Sequence, residues 1–361
     1  MILTRRQFLN GVGTMMMGAV LTPTPLSTSW SAARRANTVQ SIHTVTGPVA
    51  PTELGTTLIH EHILCDFIGA EKTGPHRWER DEVFEVMLPY LKTLRAAGGG
   101  TFVDCSPKYV GRDPLLLKRL AEASGLRIIT NTGLYKEPYL PRYALDGTPE
   151  SLADDWTQEA EEGLDGTGIR PGFIKIAANE GPLNATQERI VRAAALTHLR
   201  TGLTIASHTT QGKTALQELE ILAQENVDAR VFVWVHADAE PDPGLRREAG
   251  WRGAWIELDS IDPSSPQRHI GLIEDLLHAD LINQVLISQD AGWYSVGEPR
   301  GGSPRSYEKL LTGFVPALAE SGIGRAVVQR LLKGNPGRAL VLLRYALRRD
   351  KWERKWRLQW T

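Results

Sequence analysis

Leu54-Gly-Thr-Thr-Leu-Ile-His-Glu-His62 is a short apolar run that ends on two histidines, and four later runs repeat its logic. Gly172-Phe-Ile-Lys-Ile-Ala177 carries Lys175, and Leu203-Thr-Ile-Ala-Ser-His208 ends on His208. Val231-Phe-Val-Trp-Val-His236 ends on His236, and Val285-Leu-Ile-Ser-Gln-Asp290 on Asp290. Runs this short and this rich in β-branched residues read as parallel strands buried on both faces. Each delivers an ionisable residue at or near its C-terminal end, where barrels of alternating strands and helices build their sites. Side chains gathered from five separate strands converge only if the sheet closes.

The intervening sequence supports closure. A strand at Thr57–His62 precedes a helix from Asp81 to Ala97, and a second at Thr101–Ser106 precedes a helix over Asp113–Ser124. The third strand, Arg127–Gly133, is followed by a long loop and a helix at Glu150–Glu162. The fourth, Gly172–Ala177, leads to a helix at Ala185–Thr201. Strands ending at His208 and His236, one over Ala254–Leu258 and one ending near Asp290 complete eight, with amphipathic helices such as Thr214–Gln224 and Gly271–Leu281 between them. Eight repeats predict an α/β fold, a (β/α)8 TIM barrel over residues 40–347. A doubly wound sheet is the alternative, and it would not bring strand one beside strand eight. Tyr307–Leu347 reads as two or three extra C-terminal helices, with a helix start at Asn335-Pro336. The tail 348–361 is basic, with Trp352, Trp356 and Trp360 on one helical stripe. That stripe is read as packing against the barrel or a second subunit.

The chain has 361 residues, 42% hydrophobic and 23% charged, with a formal net charge of -1. A chain this close to neutrality offers no field for nucleic acid or an anionic membrane. Residues 1–36 read as an export signal rather than as part of the fold. Thr4-Arg5-Arg6-Gln7-Phe8-Leu9 resembles the twin-arginine signal, a weakly apolar segment from Gly11 to Leu21 follows, and Ser31-Ala32-Ala33 offers a cleavage region. Export by the twin-arginine machinery to the periplasm or beyond is the expectation, and that route carries proteins already folded. Cys65 and Cys105 read as two buried free thiols, although an oxidising periplasm would permit a disulfide.

His60 and His62 stand two apart on a strand, so both face the barrel interior and can hold one cation between them. Lys175 alternates onto the same face as Phe173, where an unpaired ammonium is costly to bury. It can be a structural ion pair, a Schiff-base lysine, or a lysine carboxylated to an anionic ligand that bridges two metals. The strand-end histidines favour the third. His208 and His236 fall on the inward sets Thr204, Ala206, His208 and Phe232, Trp234, His236. Asp290 shares a face with Leu286 and Ser288, and a buried carboxylate there needs a cation or several donors. The remaining histidines read as structural or surface residues, except that His269 could edge the pocket if its loop folds back.

The order H-x-H, Lys, His, His, Asp resembles the amidohydrolase superfamily, and the flanking words resemble its phosphotriesterase-related branch. Those words are Gly55–His62, Gly111-Arg112-Asp113, Thr132-Gly133-Leu134-Tyr135, Gly166–Lys175 and Ile287-Ser288-Gln289-Asp290. The resemblance implies that His60, His62 and Asp290 hold a buried metal and His208 and His236 a more exposed one. Carboxylated Lys175 and a hydroxide would bridge them. The hydroxide would attack a lactone, carboxylic ester or phosphoester, with Asp290 taking the proton. Zinc suits the ligands, with manganese, cobalt or iron as alternatives. Tyr135 resembles the family's aromatic pocket wall, and Tyr109, Trp293, Lys108 and Tyr294 are further substrate contacts expected at the mouth. The resemblance also implies a possible homodimer. The chain departs from the phosphotriesterases proper at Ala239 and Ser260, where a proton relay would sit. Organophosphate triesterase activity is therefore the second reading, and a catalytically inactive binding barrel the third.

Overall fold

A computed structural model describes residues 40–342, so the export-signal reading and the Trp-rich tail lie outside the described residues. The described chain begins with an antiparallel hairpin, β1 (Ile42–Thr44) and β2 (Gly47–Val49), which sequence reading did not anticipate. Ten parallel strands follow: β3 (Thr57–Cys65), β4 (Thr101–Asp104), β5 (Arg127–Ile129), β6 (Asn131–Thr132), β7 (Phe173–Ala177), β8 (Thr204–His208), β9 (Phe232–Val235), β10 (Trp255–Leu258), β11 (Val285–Ile287) and β12 (Ala291–Ser295). They pair as β12-β3-β4-β5 and as β6-β7-β8-β9-β10-β11.

The ten strands fill eight barrel positions, because two positions are broken. The third splits into β5 and β6 at Thr130, and the eighth into β11 and β12 around Ser288–Asp290. Hydrogen bonds carry the sheet across both breaks. Gly172 N–H donates to Thr130 O at 2.8 Å, Ser288 N–H to Leu258 O at 3.0 Å, and Asp290 N–H to His60 O at 3.2 Å. Strand one therefore lies beside strand eight, as a (β/α)8 barrel requires and a doubly wound sheet forbids.

Helices α1 (Arg80–Ala96), α2 (Pro114–Ser124), α3 (Arg142–Asp146), α4 (Pro149–Glu162), α5 (Ala185–Thr201), α6 (Gly212–Gln224), α7 (Pro243–Arg252) and α8 (Gln267–His278) alternate with the strands. α2 illustrates the local code. Asp113 caps it by accepting from Leu116 N–H, Pro114 occupies its first turn, and Gly125 ends it with φ 72°. The extra C-terminal helices are two runs, each including a wider π turn. Leu310–Phe314 continues into α9 (Val315–Glu320), and α10 (Arg325–Gln329) continues through Arg330–Gly334 into α11 (Asn335–Leu340). Asn335 sits inside the second run rather than at a free start. Its amide donates to Ile282 O and Val285 O, which anchors the run to the approach to β11.

Apolar side chains form two layers. The inner one contains Ile59, Val103, Phe173, Ala206, Val233, Val235 and Leu286. The outer one joins strands to helices through residues such as Leu58, Phe102, Ile174, Phe232, Trp234 and Ile287. Two strands depart from simple alternation. Leu58 and His60 should share a face, yet Leu58 lies in the outer layer and Ile59 in the inner. A β-bulge between Leu58 and Glu61, read against β4, resets the phase, so His60 and His62 still point inward. On β9 the expected inward set is wrong. Phe232 and Trp234 face the helices, and Val233 and Val235 face in. His236 regains the interior because it leaves the strand in a left-handed turn, φ 63°.

The eighth position breaks at Asp290, which also has positive φ, 48°. Glu61, between the two histidines, seals the gap. Its buried carboxylate accepts from Ser288 Oγ at 2.8 Å, Gln289 N–H at 3.2 Å and Ala291 N–H at 2.7 Å. Burial pushes Glu61 up to about 8, and these donors work against that shift. Replacing Glu61 with Ala leaves buried donors unpaired, at about 1–3 kcal/mol each. The denaturation midpoint of E61A should fall well below that of wild type, with E61Q between them. Unchanged midpoints would mean that water or repacking closes the seam.

Candidate metal centre

His60, His62, Tyr135, Lys175, His208, His236, Asp290 and Trp293 line one cavity of about 70 Å³, together with Cys65, Phe67, Pro107 and Val110. The six expected ligands, drawn from five barrel positions, are therefore brought together. His60 and His62 ring centres lie 5.2 Å apart, His60 and His236 5.1 Å, and His208 and His236 4.3 Å.

Hydrogen bonds behind the rings decide which nitrogen faces the cavity. Ser106 Oγ donates its single proton to Leu64 O, so toward His62 it accepts, and His62 Nδ1 carries the hydrogen at 2.9 Å. His62 Nε2 therefore faces the cavity, 3.1 Å from Asp290 Oδ1. His60 Nδ1 meets Glu257 Oε1 at 2.7 Å and Asp259 Oδ2 at 3.0 Å, and His236 Nδ1 meets Asp259 Oδ1 at 2.7 Å. Both rings donate through Nδ1 and offer Nε2 inward, which is the carboxylate–imidazole arrangement that orients metal ligands. Burial drives His60 down to about 3, so its imidazole is neutral, as a ligand must be.

Two carboxylates back these rings. Burial pushes Glu257 well above the carboxylate range, and its neighbour Asp259 adds to the shift. Burial opposes ionisation of Asp259 too. There the charge on His236 and the hydrogen bonds from His236 and His60 prevail, and Asp259 stays ionised. Asp259 is braced in turn by Asp238, which accepts from Asp259 N–H at 3.3 Å and pairs with His269 Nε2 at 3.1 Å. His269 therefore sits on α8 behind Asp238, away from the cavity lining, which corrects the idea that it edges the pocket.

Asp290 is held well below the usual carboxylate range. Burial opposes this, but His60 and His62 overcome it. His60, His62 and Asp290 bring one donor atom each within 4.8 Å of the others, a set able to hold a metal ion; His60, His236 and Asp259 form a second. Asp259 is the better read as the partner of the two Nδ1 atoms, since those bonds occupy it. Lys175 is 1% exposed, and its Nζ has no hydrogen-bond partner among the described residues. A bare buried ammonium is among the most costly arrangements in a core, so this atom points to a missing anionic modification or bound group.

His208 differs from the other three. Its Nε2 faces Lys136 Nζ at 2.9 Å and its Nδ1 faces Tyr135 OH at 3.1 Å. An ammonium can only donate, so Nε2 carries the lone pair, and a cation already occupies it. Ser207 and Thr209 beside it are pinned by Glu218 on α6, at 2.5 and 2.7 Å.

The expected substrate contacts divide. Tyr135 and Trp293 line the cavity, and the Trp293 ring stands edge-on to His62 at 5.6 Å. Tyr109 and Lys108 instead line a separate cavity of about 570 Å³ beside Glu159 and Asp165. Tyr294 is buried and turned toward Glu82, 2.6 Å from its hydroxyl. Cys65 and Cys105 are buried free thiols.

A parallel barrel with imidazoles and a carboxylate converging on the C-terminal ends of its strands defines a hydrolase class with a candidate metal centre. Within that class the chain belongs to the phosphotriesterase family, which it matches over residues 40–340. It is 30% identical over 315 residues to a phosphotriesterase homology protein of Mycobacterium tuberculosis, covering 82% of this chain and 96% of the relative. It is 27% identical over 299 residues to an aryldialkylphosphatase of Saccharolobus solfataricus, covering 79% and 94%. It is 24% identical over 337 residues to an N-acetyltaurine hydrolase of Xenopus tropicalis, covering 82% and 96%.

Sequence reading missed Glu257, Ser106, Lys136 and the sealing role of Glu61. Glu257 was within reach, since Trp255 and Glu257 alternate on β10 and Asp259 continues the alternation one residue beyond it. If Asp259 orients both rings, D259N should weaken metal affinity by about 10–100-fold. A chelator competition titration measures this, and an unaltered affinity would remove Asp259 from that role.

Proposed function

We propose that this protein is a binuclear metal-dependent hydrolase of a lactone or carboxylic ester, with phosphoesters as the second substrate class. One observation carries the reading: the orphaned, buried Nζ of Lys175, a residue that lines one cavity with His60, His62, His208, His236 and Asp290. The donor set fits two divalent cations, zinc by ligand type. His60, His62 and Asp290 would hold one, His208 and His236 the other, and Lys175, carboxylated, would reach both. Such ions, when bound, make water nucleophilic near neutral pH and polarise the electrophilic oxygen of the substrate.

The chain's own residues do the rest. Asp290, held ionised, accepts the proton released as water attacks. Its side chain is 29% exposed, so it can return that proton to solvent or the leaving group directly. Phe67, Val110, Tyr135 and Trp293 exclude bulk water from the cavity and present an apolar wall to the acyl group. Burial keeps the Tyr135 phenol neutral and able to donate a hydrogen bond. Ala239 and Ser260, neither of which carries a group that titrates near neutral pH, favour the carbonyl substrate over the phosphotriester. The aryldialkylphosphatase relative favours the phosphoester reading, and the N-acetyltaurine hydrolase relative extends the class to amides. The twin-arginine motif supports action in the periplasm or outside the cell.

Lys175→Ala should lose both metals by elemental analysis and nearly all turnover. Two metals per chain and a normal rate would refute the bridging role. On the fully metallated enzyme, lactones should exceed paraoxon-like triesters in kcat/KM, and the opposite ranking would reverse the substrate preference.

A further inference from the structure

Two cations stand beside the mouth of the cavity, and among the described residues neither has a carboxylate within ion-pair distance. Lys136, half-buried, has the lone pair of His208 Nε2 as its hydrogen-bond partner, 2.9 Å away. Glu180 acts on it only at longer range. Arg305 donates to the main-chain oxygen of Asp290, and its guanidinium carbon lies 5.9 Å from the Trp293 ring centre. One cation therefore flanks the Tyr135–His208 side and the other the Asp290–Trp293 side. The cavity walls between them are apolar and aromatic, apart from the metal-centre residues.

His208 Nε2 cannot serve an ammonium and a metal ion at once. If His208 acts as a ligand through that lone pair, Lys136 loses its hydrogen-bond partner, beside a centre that has itself become more positive. An ammonium in that position is satisfied by an anion brought by the substrate, since among the described residues no carboxylate lies within ion-pair distance of it and Glu180 acts only from further away. We propose that Lys136 is a specificity-determining residue that selects acyl substrates ending in an oxyanion, a carboxylate or sulfonate, over neutral ones. The proposal rests on the hydrolase reading above. Arg305, more exposed, extends the positive field at the opposite rim.

The test uses a near-isosteric pair, 4-nitrophenyl hydrogen glutarate and 4-nitrophenyl valerate, on the full-length metallated protein. Wild type should prefer the anionic ester, chiefly through a lower KM, and added salt should erode the preference. In K136M the anionic-to-neutral ratio of kcat/KM should fall about tenfold or more, the value of one charge-assisted hydrogen bond, and K136R should restore much of it. Metal content is measured alongside, because Lys136 touches a ligand. Calorimetry with glutarate supplies a readout independent of turnover: binding should be strong in wild type and weak in K136M. Equal ratios and equal glutarate affinity in wild type and K136M would overturn the proposal, while hydrolysis of the valerate ester would leave the hydrolase reading standing. Glutarate binding through Lys136 with no ester hydrolysed would do the reverse.

Discussion

Glu61 reinforces the seam between β3 and the broken eighth position, where main-chain pairing is incomplete. A regular eighth strand could pair with β3 along its whole length, but it could not turn Asp290 toward the histidines. The chain instead breaks the strand with a left-handed residue at Asp290 and spends a side-chain carboxylate on the amides thus released. Closure of the barrel and placement of Asp290 are consequently one structural event. The same glutamate separates the two histidines, so the H-x-H word encodes both the ligands and the clasp that brings Asp290 to them.

Most of the architecture was legible because buried parallel strands and amphipathic helices have different periods, and the eight-fold alternation survives any single error. The faces were less legible. His60 and His62 were placed correctly although Leu58, which should share their face, lies outside, because the bulge at Leu58–Glu61 restores the phase. His236 was placed correctly although Phe232 and Trp234 point the other way, because a positive φ turns it inward. A two-residue period carries no record of a bulge or a left-handed turn. These side chains reach the cavity because their position at strand ends matters more than their parity along the strand.

The residues that sequence reading missed share one property: each acts through another. Glu257 and Asp259 are visible as inward alternants on β10 and just beyond it, yet nothing local says that they meet His60 and His236 from other strands. Ser106 fixes the tautomer of His62 only because its own proton is committed to Leu64 O. Lys108 and Tyr109 were expected at the mouth because they follow β4. The pairing of Lys108 with Glu159 and Asp165, at 3.5 and 3.6 Å, draws that loop toward α4 instead. Such partnerships cross the barrel and exist only after it closes.

The electrostatics of the centre fit bound cations. Asp259 and Asp290 are ionised within a cluster of buried groups, and Glu257 is kept protonated largely because it is buried beside Asp259. With Lys175 as a bare ammonium, that cation has no hydrogen bond among the described residues to compensate its burial, while Asp290 leans in part on His60, which burial tends to neutralise. With Lys175 carboxylated, as proposed, the centre carries three negative charges among neutral ligands. Two divalent ions would then exceed them by one charge. That single surplus charge is what a water-derived nucleophile and a developing oxyanion require. Under the same proposal, a lysine and an arginine beside the mouth, like-charged with the ions, would be offset by a negative charge that the substrate brings.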